Sequence, residues 1–100
     1  MAEKTKVTPC VCFSHDDKEG RLNIEVQLPG VNKKEDISLE MRRDSFCVTA
    51  PRGKDTEYSG CFMLAHEVET GKAQARYENG LLKVFAPIKG WEDRSFIAVQ

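Results

Sequence analysis

The most regular stretch of the chain alternates Leu22, Ile24, Val26 and Leu28 with Asn23, Glu25 and Gln27. Apolar side chains at every second position line one face of a pleated strand, so residues 22–28 read as a strand with one buried and one wet face. Pro29-Gly30 ends it, because proline lacks the ladder N–H and glycine tolerates a positive φ. Residues 31–36 form a connection with room for one helical turn. Ile37, Leu39 and Met41 then alternate with Ser38, Glu40 and Arg42 in a second strand. Arg42-Arg43-Asp44 turns the chain into a third, over residues 45–50, with Phe46 and Val48 on one face and Cys47 on the other.

Residues 51–57 hold no core-forming side chain apart from Pro51 and read as an exposed loop. Tyr58, Phe62 and Leu64 share a register in the next strand, with Gly60 between the first two and Cys61 and Met63 facing the other way. Residues 67–71 read as a turn or a short helical link. Ala73, Ala75 and Tyr77 alternate with Gln74, Arg76 and Glu78, and Asn79-Gly80 follows at once. That dipeptide is the strongest local signal for a two-residue hairpin, whose central positions both need φ above zero. The return strand over residues 81–86 places Leu82, Val84 and Ala86 on one face and Leu81 and Phe85 on the other, so cover is expected on both faces.

The ends are less regular. Residues 1–6 are expected to be loose. Val7, Val11 and Phe13 alternate, and Pro9 restricts the strand there to an edge strand over residues 10–14. Residues 15–20 read as a turn, and residues 89–93 as a polar link containing Trp91. Residues 96–99, Phe96-Ile97-Ala98-Val99, read as a last short strand, apolar on both faces, that must dock on its own domain or on a neighbour. About eight short strands, almost no helix and turn chemistry about every ten residues make a β-sandwich or a small barrel.

One hundred residues is the size of one domain. Fifteen Lys and Arg against sixteen Asp and Glu give a net charge of −1, without the field that draws a protein to phosphate backbones or acidic lipids, so neither a nucleic acid nor a membrane is an expected partner. No apolar run approaches the roughly 20 residues a bilayer requires, and the first residues do not form a signal peptide, so the expected location is cytoplasmic. Cysteines fall at 10, 12, 47 and 61. In a cytoplasmic chain these are expected to be buried fillers or free thiols rather than disulfides.

Little in the chain carries covalent chemistry. Cys10-Val11-Cys12 with His15 or His66 is too closely spaced for structural zinc, and neither a metal nor another cofactor is expected. Ser14 beside His15 is not a triad, both histidines lie in or beside turns, and no glycine-rich loop joins a strand to a helix, so an enzyme is not expected. The pairs Asp16-Asp17, Lys33-Lys34 and Arg42-Arg43 are solvated charges.

With the strands placed, Ala75-Arg76-Tyr77-Glu78-Asn79-Gly80-Leu81-Leu82-Lys83-Val84, continued by Pro87, resembles the signature of the small heat-shock proteins, the alpha-crystallin domain (Hsp20) family. Upstream, Val26-Gln27-Leu28-Pro29-Gly30 and the resumption at Glu35-Asp36-Ile37 are similar to a second stretch of that family. The family motif falls on Leu28, Pro29, Gly30, Ala75, Asn79, Gly80 and Leu82. The resemblance implies an all-β, immunoglobulin-like sandwich of two antiparallel sheets with seven or eight strands, and an ATP-independent holdase that keeps unfolded or partly folded client proteins in solution. It divides the chain into an N-terminal arm over residues 1–9, a sandwich over 10–88 and a C-terminal extension or final strand over 89–100.

Two departures stand out. Many family members carry a long excursion with an extra, partner-pairing strand where this chain has only residues 51–57, and their N-terminal arm is longer. Strand exchange through that loop is not expected, so a homodimer or small homo-oligomer would use another surface, and a dedicated interaction module of the type of the co-chaperone p23 stays open. By family position, Ile37, Leu39, Ala73 and Ala75 would border a groove for clients or for a chain tail, although the same alternation fits plain core packing. Ile97 and Val99, one residue apart, are similar to the family's C-terminal docking pair, which would augment a sheet edge while alternate side chains fill pockets. Gly80 is expected to permit the hairpin and Leu82 to lie in the core.

Overall fold

The computed structural model describes residues 5–16, 18–90 and 97–100. Eight strands are described: β1 (Thr5–Val7), β2 (Cys10–Asp16), β3 (Arg21–Gln27), β4 (Ser38–Met41), β5 (Ser45–Arg52), β6 (Thr56–Met63), β7 (Gln74–Glu78) and β8 (Leu81–Pro87). They form two four-stranded sheets, ordered β1-β6-β5-β4 and β2-β3-β8-β7. Among the described residues, helix is limited to single 3-10 turns at Lys34–Asp36 and Thr70–Lys72, within the β3–β4 and β6–β7 links, which cross between sheets. No described helix is long and apolar enough to cross a membrane. The sandwich, rather than the barrel, is the architecture.

The alternation of residues 22–28 places Leu22, Ile24 and Val26 on the inner face of β3, all buried. Across the layer they meet Phe46, Val48 and Ala50 of β5, and beside them lie Leu82, Val84 and Ala86 of β8. Leu28, Val31, Leu64, Val68 and Ile88 close the ends of this core from the connections. Gly60 completes it for a spatial reason. A Cβ there would lie 2.9 Å from the Phe62 ring, which stacks on Phe46 at a centroid distance of 5.1 Å.

Several expectations are corrected. The stretch expected to be loose contributes β1, which pairs with β6 in parallel (Thr5 with Thr56, Val7 with Tyr58), so that sheet is mixed rather than wholly antiparallel. β2 runs on to Asp16, into the first two residues of the turn expected over 15–20, and the Asp16 carboxylate accepts the backbone N–H groups of Lys18 and Glu19 to start the reversal. The expected loop over residues 51–57 shrinks to residues 53–55, because Pro51 and Arg52 pair with Glu57 and Thr56. Pro51 is tolerated because β4 reaches only as far as Thr49 on β5, so no β4 residue needs its missing N–H. No long excursion leaves the sheet after Ala50, as expected.

On the outer face of β8 the Arg21 guanidinium lies 4.9 Å from the Phe85 ring centroid. Cys47 and Cys61, expected as thiols, are disulfide-bonded. They are directly opposed on β5 and β6, with Cα atoms 4.0 Å apart, on the outer face that the alternation around Phe46 assigns to them. Cys10 and Cys12 are free and exposed. Residues 97–100 form no strand, whereas a final strand was expected over 96–99. Ile97 and Val99 are 85% and 98% exposed. Residues 1–4, Asp17, Trp91 and Phe96 lie outside the described residues.

Candidate functional site

β4 and β7 are the terminal strands of different sheets, and they border the same open side of the sandwich. Between them lies a cavity of about 200 Å³ lined by Lys34, Ile37, Leu39, Ala75, Tyr77 and Leu82. It exceeds the roughly 150 Å³ apolar cavity that suffices for a benzene ring, so aliphatic side chains fit within it. Ile37 and Leu39 supply one wall from the approach to β4 and from β4 itself. Ala75 and Tyr77, two residues apart on β7, supply the other, and the buried Leu82 on β8 forms the floor. The small Ala75 side chain between larger neighbours leaves the space open.

Tyr77 is held in place rather than free to swing across the groove. Its hydroxyl lies 3.1 Å from the Leu28 carbonyl oxygen and 2.9 Å from that of Val31, and donates to them. Burial raises its pKa above the ordinary 10.0, and the neighbouring Tyr58 adds to the rise. The Tyr58 hydroxyl donates to the Pro29 carbonyl at 2.5 Å. Two tyrosines from opposite sheets therefore clamp the segment around Leu28, Pro29 and Val31. Gly30, in the same segment, lies beneath Arg52, whose Cγ would be 3.0 Å from a Cβ at that position.

The seven residues singled out by motif gather around this segment. Asn79 (φ +50°) and Gly80 (φ +80°) form the β7–β8 turn, as the dipeptide demands. The Gly80 carbonyl accepts the Leu28 N–H at 2.7 Å. Ala75 and Leu82 line the cavity. Of the four groove candidates, Ile37, Leu39 and Ala75 are brought together. Ala73 is not among the lining residues: it precedes β7, its N–H bonds to the Thr70 carbonyl, and it packs against the core. Two lining residues were not singled out. Tyr77 continues the Ala73, Ala75 alternation and was legible on that ground, whereas Lys34 comes from the connection and left no periodic signal.

A second cavity, of about 240 Å³, lies near β2 and the end of β6, lined by Phe13, Ser14, His15, Leu22, Met63, Ala65 and His66. The His15 and His66 rings meet edge to face at 5.8 Å. No group of three or more His, Cys, Asp or Glu side chains among the described residues is placed to hold a metal ion.

No protein-family model matches the sequence, and no curated protein matches it. Solved structures do match. Heat shock protein 16.0 from Schizosaccharomyces pombe superposes with a TM-score of 0.71 at 18% identity, over 94% of this chain and 99% of that one. HSP18.5 from E. histolytica gives a TM-score of 0.74 at 12% identity, over 94% and 98%. A mutant of hsp14.1 from Sulfolobus solfatataricus P2 gives 0.70 at 22% identity, over 83% and 77%. The chain therefore has the fold of the small heat-shock proteins.

Proposed function

We propose that this chain is an ATP-independent holdase of the small heat-shock type, and that the groove between β4 and β7 is where it takes up exposed apolar segments. The groove itself carries the reading: an open, mostly apolar cavity bordered by two terminal strands, in the fold that the heat shock proteins named above share. An extended segment laid along it would pair its backbone with a sheet edge while alternate side chains enter the cavity. Affinity would come from apolar burial, at about 25 cal/mol per Å², with no covalent step. Two ligands suit it, a client's extended apolar segment and the Ile97-Ala98-Val99 tail of a second copy, whose large side chains are almost fully exposed. In this reading residues 89–100 serve as the extension that carries the tail.

The test is suppression of aggregation. A heat-labile enzyme is warmed with stoichiometric amounts of the chain while light scattering is followed. The unaltered chain suppresses scattering, and Leu39→Glu, which places a carboxylate in the groove wall, abolishes suppression without unfolding the protein. Suppression that survives Leu39→Glu moves the site elsewhere. If the unaltered chain does not suppress scattering, the holdase reading is wrong. The short β5–β6 link, which supplies no exchange strand, would then favour an interaction module of the p23 type with one folded partner.

A further inference from the structure

Cys10 and Cys12 are free thiols, and both are exposed. The register of β2 with β3 fixes where they point. Val11 and Phe13 lie opposite Val26 and Ile24, which are fully buried, so these two side chains face the layer between the sheets. Cys10 and Cys12 alternate with them and lie opposite Gln27 and Glu25, both exposed. The two thiols therefore stand side by side on the outer face. His15 falls in the inner row, opposite Leu22, and lines the second cavity, so it brings no nitrogen to this pair.

The pleat also sets their spacing. Two positions at roughly 3.4 Å per residue separate the Cα atoms, and with them the Cβ atoms, by ~6.8 Å. A disulfide needs Cβ atoms about 3.5–4.5 Å apart, so Cys10 and Cys12 cannot join to each other while β2 keeps its ladder. That ladder runs unbroken from Cys10 with Gln27 to Asp16 with Arg21. It holds the thiols as a parallel pair, unlike Cys47 and Cys61, which oppose each other across two strands with Cα atoms 4.0 Å apart and are joined. Strand side chains lean along the strand in either of two common rotamers. Leaning toward each other, the two sulfurs reach ~4.6 Å, the span of two collinear metal–sulfur bonds of roughly 2.3 Å.

We infer that Cys10 and Cys12 together bind one soft cation, Cu(I), through both sulfurs. Thiolates select soft metals, and a monovalent soft ion is satisfied by two collinear sulfur ligands. Zinc takes four ligands in a structural site, whereas no group of three or more His, Cys, Asp or Glu among the described residues is placed to hold a metal. Glu25, opposite Cys12, offers a hard oxygen that suits other ions. Both thiols release their protons to solvent as the ion binds, which leaves a complex with one negative charge. Because β3 already fixes the strand, chelation orders only the two short side chains. The site lies on β2 and the groove between β4 and β7, so the inference does not rest on the holdase reading.

Anaerobic titration of the full chain against Cu(I) held by the chelator bicinchoninate tests it. The parent is expected to take one Cu(I) per chain from the chelator, and X-ray absorption is expected to report two sulfur ligands. Cys10→Ser and Cys12→Ser should each weaken capture roughly a hundredfold or more, since a single thiolate forfeits the chelate. A Cys47→Ser, Cys61→Ser double variant should capture as the parent does. All variants are compared by far-ultraviolet circular dichroism, and because the substituted side chains at 10 and 12 are exposed, the spectrum should not change. No capture by the parent overturns the inference. Capture that survives either single substitution undiminished also overturns it, because the thiols would then act separately. One copper shared by two chains, with more than two sulfurs around it, overturns it as well.

Discussion

The backbone N–H of Leu28 donates to the carbonyl of Gly80 at 2.7 Å, across 52 positions of sequence. The bond joins the segment that leaves β3 to the turn between β7 and β8, and those are the two stretches that carry the sequence motifs. Leu28 is fully buried, so its N–H has no recourse to water and the turn must present a carbonyl at that point. The hairpin geometry and the β3 exit are therefore one structural unit.

Gly80→Val is expected to loosen that unit. The residue stands at φ +80°, where a β-branched side chain is strained, and a Cβ there would lie 3.4 Å from the Pro29 Cα. A loss of roughly 1–3 kcal/mol is expected in urea unfolding, with Gly80→Ala at the low end. Equal stability of both variants and the parent would remove the turn from this role.

Leu82→Ala removes the floor of the groove and part of the core together. The side chain is 4% exposed, so the change is expected to cost roughly 2–5 kcal/mol in denaturant unfolding. A cost below about 1 kcal/mol would mean the floor collapses freely or is not packed.

Ala75→Leu is expected to fill the groove from its β7 wall while leaving stability nearly unchanged, because Ala75 is exposed. A fluorescent peptide carrying Ile-Ala-Val-Gln, followed by anisotropy, should bind the parent and lose affinity roughly ten- to hundredfold, the worth of one aliphatic side chain displaced from its pocket. Equal binding by both proteins would place the tail elsewhere.

Tyr77 links the groove wall to alkaline stability. Because its pKa is raised in the folded protein, the native state holds this proton more tightly than the unfolded chain does. Below the ordinary tyrosine range both states are protonated and this contribution is fully present. As pH climbs from 10.0 through the raised folded value, the unfolded chain releases its proton first and stability falls. Tyr77→Phe should cost about 1 kcal/mol at neutral pH for the lost hydrogen bonding and flatten the alkaline limb of a stability-versus-pH curve. An unchanged limb would assign it to other groups.

The Cys47–Cys61 bond predicts two titratable thiols in the unreduced protein and four after reduction in denaturant. The bond closes a loop with a sequence separation of 14, so Cys47→Ser with Cys61→Ser should lower stability by about 3 kcal/mol. Four thiols before reduction would show that the pair is not joined.

The strands that form the core were legible because their chemistry is local. Period-two alternation in residues 22–28, the Asn79-Gly80 turn and the Phe46, Val48 face each follow from a few adjacent side chains, and all appear where they were read. The β4 and β7 strands were legible for the same reason, from Ile37, Leu39 and Met41 and from Ala73, Ala75 and Tyr77. That they border a groove came only from the family resemblance, since the same alternation fits plain core packing. What no local pattern contained was which segments pair across the sandwich. Thr5–Val7 has too few apolar residues to announce a strand and becomes one because the edge of β6 is open to it. Cys47 and Cys61 carry no spacing signal, and only the β5–β6 register sets them face to face. Ala73 shares the alternation of Ala75 but falls outside the groove, because the 3-10 turn before β7 directs its backbone. Alternation depends on neighbours along the chain and is present before folding. Register, edge cover and the emptiness between two walls depend on residues tens of positions apart, and they exist only once the two sheets have closed on each other.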